Sequence, residues 1–491
     1  MTTIPCQVEV HNTHILLRNL DPIAEEYVRA AFTWEDPKAA YMLRRHREKV
    51  HPKPMKWCYV CRDQGSKCLY QNHTLPIGFL PNLLALFDEY QVAYQVGDFR
   101  PPAPSRQHDW HYDRTLRPYQ QDALEALLSN QYGVVEAATG AGKTAMAAAL
   151  VCELGVPTLI ITPTKVVFQQ FWSEFKDHTD CQLAQVASGQ RDNGPVSISI
   201  AKSLLDEDGK PRLEHLMDKQ LLILDEFHQS AAESWQKIVE ACPAYYRFGF
   251  SATPFRATDL ECNLLRGMAG NVIAKIGTEE LQDQGFLCPT DIRVVTTKVA
   301  YDRRYQDEDG EWKEICFADR YRQGIVENLG RNLDIVDIVQ FHYEQGEKVL
   351  VIVSWTDHAD ILLPYLPPDT IYLSGKDTPK KTEAKVAEYN GRSGGVLLGS
   401  PVVDVGFDAP AVDVVVMAGG GAYSGRQRQR LGRGLRPSPG KDVVIVYDFE
   451  DDDRGTGGRP TFYQHSQARL QAYRDVGQTT RYFSLKQPSL A

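Results

Sequence analysis

Short apolar runs alternate with amphipathic stretches along most of the chain after Leu116. The first series of runs lies at 133–136, 158–162, 196–200, 221–224 and 248–250. Nearly uninterrupted apolar runs of this length are typical of parallel strands that are buried on both faces. Stretches with helical periodicity, such as 143–154 and 165–176, lie between the runs. This alternation predicts a doubly wound α/β domain.

A second series of apolar runs predicts another α/β domain. Its runs lie at 348–353, 370–373, 395–398, 412–417 and 443–447. Between the two series, the segment 301–314 is strongly charged and has no period, so we interpret it as a polar connection.

The first 113 residues differ in character from the rest of the chain. They hold 7 of the 13 His and end near the Pro-rich segment RPPAP at 100–104, which is typical of a linker. A length of 491 residues also favours about three domains. We therefore expect a separate module ahead of the two α/β domains.

Charge and composition exclude several classes of protein. The net charge is -10, so the chain does not hold nucleic acid or an anionic membrane by bulk charge alone. We find neither an apolar run of membrane-spanning length nor the features of a signal peptide at the start. Ten Cys is a modest number, and Cys152, Cys242 and Cys262 lie apart and not in a dense framework, so we expect reduced thiols. These features favour a cytoplasmic protein.

A glycine-rich loop, ATGAGKT at 138–144, follows the first strand of the first series and opens a helix. Small residues let successive backbone N–H groups point at phosphates, and a helix N-terminus favours negative charge. Lys143 would reach the β and γ phosphates of a nucleotide, and Thr144 would bind Mg²⁺. Ala137 replaces the usual first glycine, where a small residue suffices. The alternative is a glycine-rich turn with an exposed lysine. The remaining residues of the expected cradle are Thr139, Gly140, Ala141 and Gly142.

The strand at 221–224 ends in two carboxylates, Asp225 and Glu226. The carboxyl ends of parallel strands share one edge of the sheet, which would place this pair beside the phosphates. We expect Asp225 to bind Mg²⁺ and Glu226 to polarise the attacking water as general base. An isolated pair of this kind is usually a helix cap, but the phosphate loop favours the catalytic interpretation.

A third motif, QRLGRGLR at 429–436, lies in the second α/β domain. Arg430, Arg433 and Arg436 would project from one side of a helix, and guanidinium groups stabilise the charge on a transferring phosphate. A basic surface helix is the alternative. Because these arginines and the phosphate loop lie in different domains, hydrolysis would depend on domain closure, as a motor requires.

Taken in order, ATGAGKT, DEFH at 225–228, SATP at 251–254 and QRLGRGLR resemble the motif set of superfamily 2 (DExH) helicases and translocases. Within that superfamily, SATPFR, GIVENLGRN at 324–332 and HSQARLQAY at 465–473 resemble the XPB and UvsW-like group of DNA helicases, which includes phage recombination and repair helicases. The segment 75–96 is similar to a small accessory domain that precedes the motor in that group.

The resemblance implies an α/β fold with two RecA-like doubly wound parallel-sheet domains in tandem, preceded by a small α+β accessory domain. We expect an accessory DNA-binding domain at 1–104, an ATP-binding helicase domain 1 at 105–295 and a helicase domain 2 at 296–491.

Further roles follow from the resemblance alone. Gln120 corresponds to the glutamine that reads adenine, with Arg117 nearby, while Gly406 and Asp408 couple the nucleotide ribose to the nucleic-acid strand. Two short segments, 162–164 and 354–356, would hold strand phosphates. Backbone N–H groups and hydroxyls can do this without net positive charge.

The residues Cys58, Cys61, Cys68 and His73 have the donor types of a tetrahedral zinc site. Their spacing is not that of a standard zinc finger, and the resemblance gives no support for zinc. A hairpin with incidental thiols is the alternative.

We expect an ATP-dependent DNA helicase or branch-remodelling translocase with ATP and Mg²⁺ as cofactors. The family implies 3′ to 5′ movement. Single-stranded and branched DNA are the expected partners of a monomer that is not bound to a membrane, in the cytoplasm of a prokaryotic or virus-infected cell. The alternatives are an RNA helicase or double-stranded RNA translocase and, in another class, a non-motor DNA-binding recruitment protein. A recruitment protein has no need of the set Lys143, Asp225, Glu226, Arg433 and Arg436.

Overall fold

The computed structural model describes residues 5–35, 66–255, 258–306, 310–399, 412–421, 443–457, 459–474 and 478–484. The chain packs as two compact units. Unit 1 comprises Met1–Ala137 and Gly142–Ile276, and unit 2 comprises Gly277–Ala491 with the loop residues Ala138–Ala141. No helix within the described residues is long and apolar enough to cross a membrane.

Unit 1 begins with a small sheet and two helices. The strands are β1 (Cys6–Val10), β2 (His14–Arg18), β3 (Thr33–Glu35), β4 (Ser66–Cys68), β5 (Thr74–Pro76) and β6 (Tyr94–Asp98), and the helices are α1 (Pro22–Ala31) and α2 (Leu80–Glu89). Four strands form a mixed sheet in the order β5-β2-β1-β6, and β3 pairs with β4. One face buries Val8 and Ile15 against Val28, Leu83 and Phe87 of the helices. This part of the chain is α+β, as expected.

The rest of unit 1 is built on an eight-stranded sheet in the order β10-β9-β11-β8-β12-β13-β7-β14. Every pair is parallel except β9 with β10. Every residue of β8 and β12 is buried. This burial explains why the two strands contain no charged residue except Asp225, the last residue of β12. The strands are β7 (Tyr132–Ala137), β8 (Thr158–Thr162), β9 (Leu183–Ala187), β10 (Gln190–Arg191), β11 (Val196–Ile200), β12 (Leu221–Asp225), β13 (Tyr246–Ser251) and β14 (Val272–Ile276).

Capping residues determine where the helices that flank this sheet begin and end. Thr164 caps α5 by accepting a hydrogen bond from the Val167 N–H, and Gly155 ends α4 in a left-handed conformation with φ 58°. The helices are α3 (Pro118–Leu128), α4 (Lys143–Leu154), α5 (Lys165–His178), α6 (Glu233–Ala241) and α7 (Asp259–Ala269).

The small N-terminal sheet packs directly on the large sheet of unit 1. Tyr132 of β7 packs against the N-terminal core, and the Asn12 amide donates to the Pro243 carbonyl over 2.8 Å. The backbones approach closely at Gly78, where a Cβ would lie 1.8 Å from the carbonyl oxygen of Arg266 on α7. Within unit 1, the interface between the N-terminal residues and the large-sheet part therefore requires glycine at residue 78.

Unit 2 contains a seven-stranded sheet, parallel throughout, in the order β19-β20-β18-β21-β22-β15-β23. Two further strands, β16 and β17, lie outside this sheet. The strands of unit 2 are β15 (Thr290–Lys298), β16 (Arg304–Gln306), β17 (Trp312–Glu314), β18 (Lys348–Ile352), β19 (Ile371–Leu373), β20 (Gly395–Gly399), β21 (Val414–Val416), β22 (Val444–Asp452) and β23 (Thr480–Phe483). The helices are α8 (Thr278–Asp283), α9 (Phe317–Tyr321), α10 (Leu329–Glu344), α11 (Thr356–Leu362), α12 (Pro379–Gly391) and α13 (Thr461–Arg474).

The two large sheets confirm the predicted doubly wound α/β fold, because each predicted apolar run overlaps a strand. The segment 301–314 departs from the expected irregular connection, since β16 and β17 form an antiparallel hairpin there. The boundaries at 104/105 and 295/296 stay predictions. The N-terminal residues belong to unit 1, and β15 runs through residue 295.

We predict that Gly78→Ala lowers the free energy of unfolding by about 2 kcal/mol, because the added methyl group must displace backbone of α7. Denaturant unfolding of the full chain measures the change. Gly277→Ala is the matched control, since nothing lies within 4 Å of a Cβ there. Equal stability of the two variants would mean that the interface at Gly78 is not as close as described.

Candidate active site

Three neighbouring strands bring the candidate residues to one edge of the unit 1 sheet. The strands β12, β13 and β7 are adjacent and parallel, with Asp225 paired to Phe250 and Ser251 paired to Glu136. Asp225, Ser251 and the loop after Ala137 therefore leave the sheet at the same edge. The acid pair and the phosphate loop lie on the expected edge, and their catalytic roles stay predictions.

The phosphate loop has the backbone conformation that an anion cradle requires. Gly140 and Gly142 have φ values of 90° and 79°, which favour glycine. Gly142 is the N-cap residue of α4 and, as a glycine, has no side chain that could cap the amide groups of the first turn. The buried hydroxyl of Thr139 has no hydrogen-bond partner among the described residues. These features fit the phosphates of a nucleotide.

The two residues predicted to contact the phosphates and the metal occupy the first turn of α4. Lys143 is its first residue and Thr144 its second, and both are half-buried. Together with the carboxylate of Asp225 at the same sheet edge, they supply an ammonium, a hydroxyl and a carboxylate oxygen. Hydroxyl and carboxylate oxygens are the ligands that Mg²⁺ prefers. The donor set therefore fits Mg²⁺ with a triphosphate.

Gln120 is held beside the phosphate loop at the start of α3. Its Oε1 accepts a hydrogen bond from the Arg117 N–H over 2.9 Å, and Arg117 Nη1 donates to the Tyr119 hydroxyl over 3.0 Å. A Cβ on Gly142 would lie 2.3 Å from Gln120 Nε2. The absence of a side chain at Gly142 thus lets the Gln120 amide approach the loop. The adenine-reading role of Gln120 stays a prediction.

The acid pair is buried where β12 ends. Asp225 is 3% exposed and Glu226 is 8% exposed. Glu226 has φ 47°, an uncommon conformation for a side-chain-bearing residue that turns the chain sharply into the segment Phe227–Ala231. This backbone outlier lies at the residue expected to act as general base, and such outliers concentrate at functional sites.

A hydrogen-bonded link between two strand ends was missed by the sequence reasoning. His228 Nδ1 lies 3.1 Å from Ser251 Oγ and 3.5 Å from Glu226 Oε2. Ser251 Oγ also accepts from the Thr253 N–H over 3.1 Å. The signal was present in the motifs DEFH and SATP, but periodicity cannot show that β12 and β13 are neighbours. The link joins the acid pair to the segment that follows β13.

The segments expected to hold strand phosphates lie at the ends of β8 and β18. The Thr162 side chain is fully buried and donates to the Ser199 carbonyl over 2.9 Å, so only its backbone remains for such a contact. Thr164 caps α5, and Thr356 begins α11.

Several predicted site residues lie outside the described part of the chain. They are Cys58, Cys61, Gly406, Asp408, Arg433 and Arg436. Of the zinc candidates that are described, Cys68 donates to the Tyr70 carbonyl over 3.3 Å, and His73 Nδ1 lies 3.1 Å from the Tyr70 hydroxyl. Within the described residues no group of three or more His, Cys, Asp or Glu could hold a metal ion. Zinc binding stays a prediction.

We predict that Gly142→Ala weakens ATP binding by about tenfold or more, because a methyl group would displace Gln120 and strain the left-handed backbone. Titration with a fluorescent ATP analogue measures this, with the melting temperature as a check on folding. Gly189→Ala separates strain from contact, since Gly189 has φ 91° and nothing within 4 Å of a Cβ. It should bind ATP like the parent. If Gly142→Ala does the same, Gln120 does not contact the nucleotide loop.

Two family models match the chain. Residues 113–256 match the res subunit of type III restriction enzymes, and residues 330–438 match the helicase conserved C-terminal domain. These segments contain the phosphate loop and acid pair in one case and the arginine motif in the other.

Curated relatives are DNA helicases and translocases by name. The chain is 27% identical to the DNA 3′-5′ helicase XPB of Kineococcus radiotolerans over 362 residues, covering 69% of this chain and 61% of the relative. It is 25% identical to the DNA 3′-5′ translocase XPB2 of Sulfurisphaera tokodaii over 365 residues, covering 67% and 80%. It is 26% identical to a Rad25 protein of Halobacterium salinarum, of which it spans 56%.

Solved structures share the fold. The restriction-modification enzyme LlaBIII bound to DNA aligns over 74% of this chain and 30% of its own, with a TM-score of 0.54 and 14% identity. An HsdR subunit of a type I restriction enzyme from Vibrio vulnificus aligns over 72% and 67%, with a TM-score of 0.52 and 20% identity. T4 UvsW aligns over 98% and 99% with 18% identity and a TM-score of 0.43.

The architecture is therefore that of tandem RecA-like domains, as expected from the motifs. The two family models and the curated relatives support the predicted resemblance to superfamily 2 helicases of the XPB group.

Proposed function

We propose that the chain is an ATP-dependent DNA helicase or translocase that unwinds or remodels branched DNA. The observation that carries the proposal is the common sheet edge of the phosphate loop, Asp225 and Glu226, joined to Ser251 through His228. A helicase must transmit the effect of ATP hydrolysis to other parts of the protein. The link through His228 and Ser251 starts at the acid pair and reaches the segment after β13.

The residues divide the work of hydrolysis. Lys143, Thr144 and Asp225 would hold ATP with its Mg²⁺, and the bound ion supplies neutralisation of phosphate charge. Glu226 orients the attacking water and takes its proton. Because Glu226 is almost fully buried, few other waters reach its carboxylate. Gln120 selects the base, and Arg433 and Arg436 stabilise charge on the transferring phosphate.

DNA contacts would come from local donors, because the net charge is -10. The backbone of the segments 162–164 and 354–356 would hold phosphates of one strand. The relatives' names support DNA as the substrate and 3′ to 5′ as the direction of movement. The N-terminal sheet has its own core and would contact the second arm of a branched substrate.

ATPase stimulation distinguishes the alternatives. We expect turnover to rise with single-stranded DNA and to rise further with forks, Holliday junctions or displacement loops, compared with plain duplex. Equal or greater stimulation by RNA would favour the RNA helicase, and no turnover with any nucleic acid would favour the recruitment protein.

We predict that Lys143→Ala abolishes ATP turnover and leaves DNA binding largely intact, because the ammonium contacts phosphates of the nucleotide and not the strand. Turnover with saturating single-stranded DNA and a gel-shift titration measure the two properties. Lys237→Ala is the control, since this half-exposed lysine pairs with Glu233 on its own helix. Turnover of Lys143→Ala within about threefold of the parent would contradict the assignment.

We predict that removing the arginine finger lowers the rate of hydrolysis by roughly 10³-fold or more, with a much smaller effect on ATP binding. Arg436→Ala and Arg433→Ala are compared, because both could contact the γ phosphate. Single-turnover hydrolysis separates the chemical step from binding. Small and equal losses in both variants would assign the arginines to surface charge.

A further inference from the structure

Two cysteines of unit 1 are in contact and have no role in the site described above. Cys152 belongs to the last turn of α4, and Cys181 follows α5 at the start of the segment that leads to β9. Their Sγ atoms are 3.9 Å apart, and both thiols are free. The two residues are 29 positions apart in the chain, so tertiary packing brings them together. We name Cys152 and Cys181 the thiol pair.

The two sulfurs differ in their access to solvent. Cys152 is 5% exposed, whereas Cys181 is half-buried. An oxidant that arrives from solvent therefore meets Cys181 first. Cys152 lies against it on the protein side and is the sulfur in reach of the product.

The contact also determines which sulfur carries negative charge. The hydrogen bond between the two sulfurs lowers the pKa of Cys181, and the same contact, together with burial, raises the pKa of Cys152. The neighbouring carboxylate of Asp180 opposes the charge on Cys181, but one of its oxygens accepts from the His111 N–H over 2.7 Å. Because the thiolate is the nucleophilic form of cysteine, Cys181 is the more reactive of the two.

The segment 106–114 holds the two chain segments that carry the thiol pair. On the α4 side, the His108 N–H donates to the Gly155 carbonyl over 2.9 Å. On the α5 side, the Asp113 N–H donates to the His178 carbonyl over 3.1 Å. Disulfide formation brings two sulfurs to a distance of about 2 Å, and side-chain rotation is enough to cover the remaining gap. The bond therefore requires no movement of either helix.

A cavity of about 350 Å³ lies beside Cys152. The segment 106–114 contributes Trp110, Tyr112 and Arg114 to its lining. Since a water molecule takes up about 30 Å³ in the liquid, the cavity has room for a small oxidant and for the water that its reduction releases. Cys152 is thus buried from bulk solvent but not sealed into the core.

We propose that the thiol pair is a site of reversible oxidation by hydroperoxides, in which Cys181 reacts first and Cys152 then closes a disulfide. The site is separate from the candidate active site and does not depend on the proposed helicase function. Its substrate class is the hydroperoxides, with hydrogen peroxide as the smallest member.

The reaction has two steps. In the first, the Cys181 thiolate attacks one oxygen of hydrogen peroxide, so that an S–O bond forms, the O–O bond breaks, hydroxide leaves and the sulfur becomes a sulfenic acid. In the second, the Cys152 sulfur attacks the Cys181 sulfur, so that the S–S bond forms and the S–O bond breaks. The hydroxyl group leaves with the Cys152 proton as water. The two thiols lose two electrons, and the peroxide gains them.

The second step protects Cys181. A sulfenic acid that meets no thiol is oxidised further to a sulfinic acid, which cellular thiols do not reverse, whereas a disulfide is reduced by them. The bond also joins the end of α4 to the segment after α5. Lys143 and Thr144 begin the same helix, so the oxidised state leaves the phosphate-binding end of α4 untouched.

Peptide mapping of the full chain tests the proposal. The chain is treated with a small molar excess of hydrogen peroxide, and the remaining thiols are alkylated. Trypsin cuts after Lys and Arg, so Cys152 and Cys181 fall in separate peptides, 144–165 and 177–191, each with a single cysteine. Mass spectrometry therefore distinguishes this disulfide from any other. We expect the cross-linked peptides in the treated parent and their separation by dithiothreitol.

Serine variants assign the order of the two steps. Cys152→Ser removes the second sulfur, so sulfinic acid should build up on Cys181 at least about tenfold faster than in the parent. Cys181→Ser should leave Cys152 as a thiol, because that sulfur is buried and protonated. Cys316→Ser is the matched control, since Cys316 is exposed and donates to the Asp319 carboxylate over 3.0 Å. This control should form the disulfide as the parent does.

Three results would overturn the proposal. They are sulfinic acid on Cys181 at equal rates in the parent and in Cys152→Ser, an unmodified Cys181 in a parent whose Cys316 is oxidised, and loss of the disulfide in Cys316→Ser. The melting temperature of each reduced variant checks its folding. If a serine variant unfolds early, Cys152→Ala and Cys181→Ala replace it in the same comparison.

Discussion

The register of three parallel strands is the constraint on which the candidate active site depends. Strand β13 pairs with β12 on one side and with β7 on the other, so their carboxyl ends stop at one level. The close packing extends beyond the backbone, because a Cβ on Gly249 of β13 would lie 2.6 Å from the Phe227 ring. The ring covers the middle strand directly behind the acid pair. A one-residue slip of β13 would therefore misplace Ser251 and expel Phe227 together.

Unit 2 has an apolar core, as unit 1 has, and it also contains ion pairs that are buried. Arg331 and Asp451 are both fully buried, and Arg469 and Asp448 are almost so. Burying such pairs carries a desolvation penalty, and well-packed apolar side chains often give equal or greater stability. Stability alone therefore does not explain them. Their hydrogen bonds to the Ala418 and Gly421 carbonyls do, since apolar side chains cannot fix the path of a glycine loop.

Uniform apolar strands could be predicted from the sequence, but long-range polar pairing could not. Strands β8, β11 and β12 are nearly uncharged and were placed within a residue or two. Strand β15 was missed because charged residues interrupt it. One of them, Arg293, is accommodated over the rings of Tyr447 and Phe483, which are far away in sequence. In the sequence, Arg331 likewise looks like an exposed charged residue of α10, because its partner Asp451 is 120 residues away.

The candidate site shows the same division. The phosphate loop and the acid pair could be identified because each motif is a continuous segment that follows a strand. The contact between Gln120 and Gly142 joins two helices, and the contact between His228 and Ser251 joins two strands. Both depend on neighbours that only the folded sheet defines. The local sequence pattern therefore predicted which residues carry the chemistry. The contacts between these residues depend on tertiary packing.

Each unit uses one hydroxyl to connect neighbouring segments at a strand end. In unit 1, Ser251 connects His228 beside the acid pair to the backbone of Thr253. In unit 2, Tyr321 connects the Gly419 carbonyl to Ser354. Parallel sheets covered by helices on both faces are stiff, so little motion is lost inside them. In each unit the hydroxyl therefore holds two loop segments together at the edge of a stiff sheet.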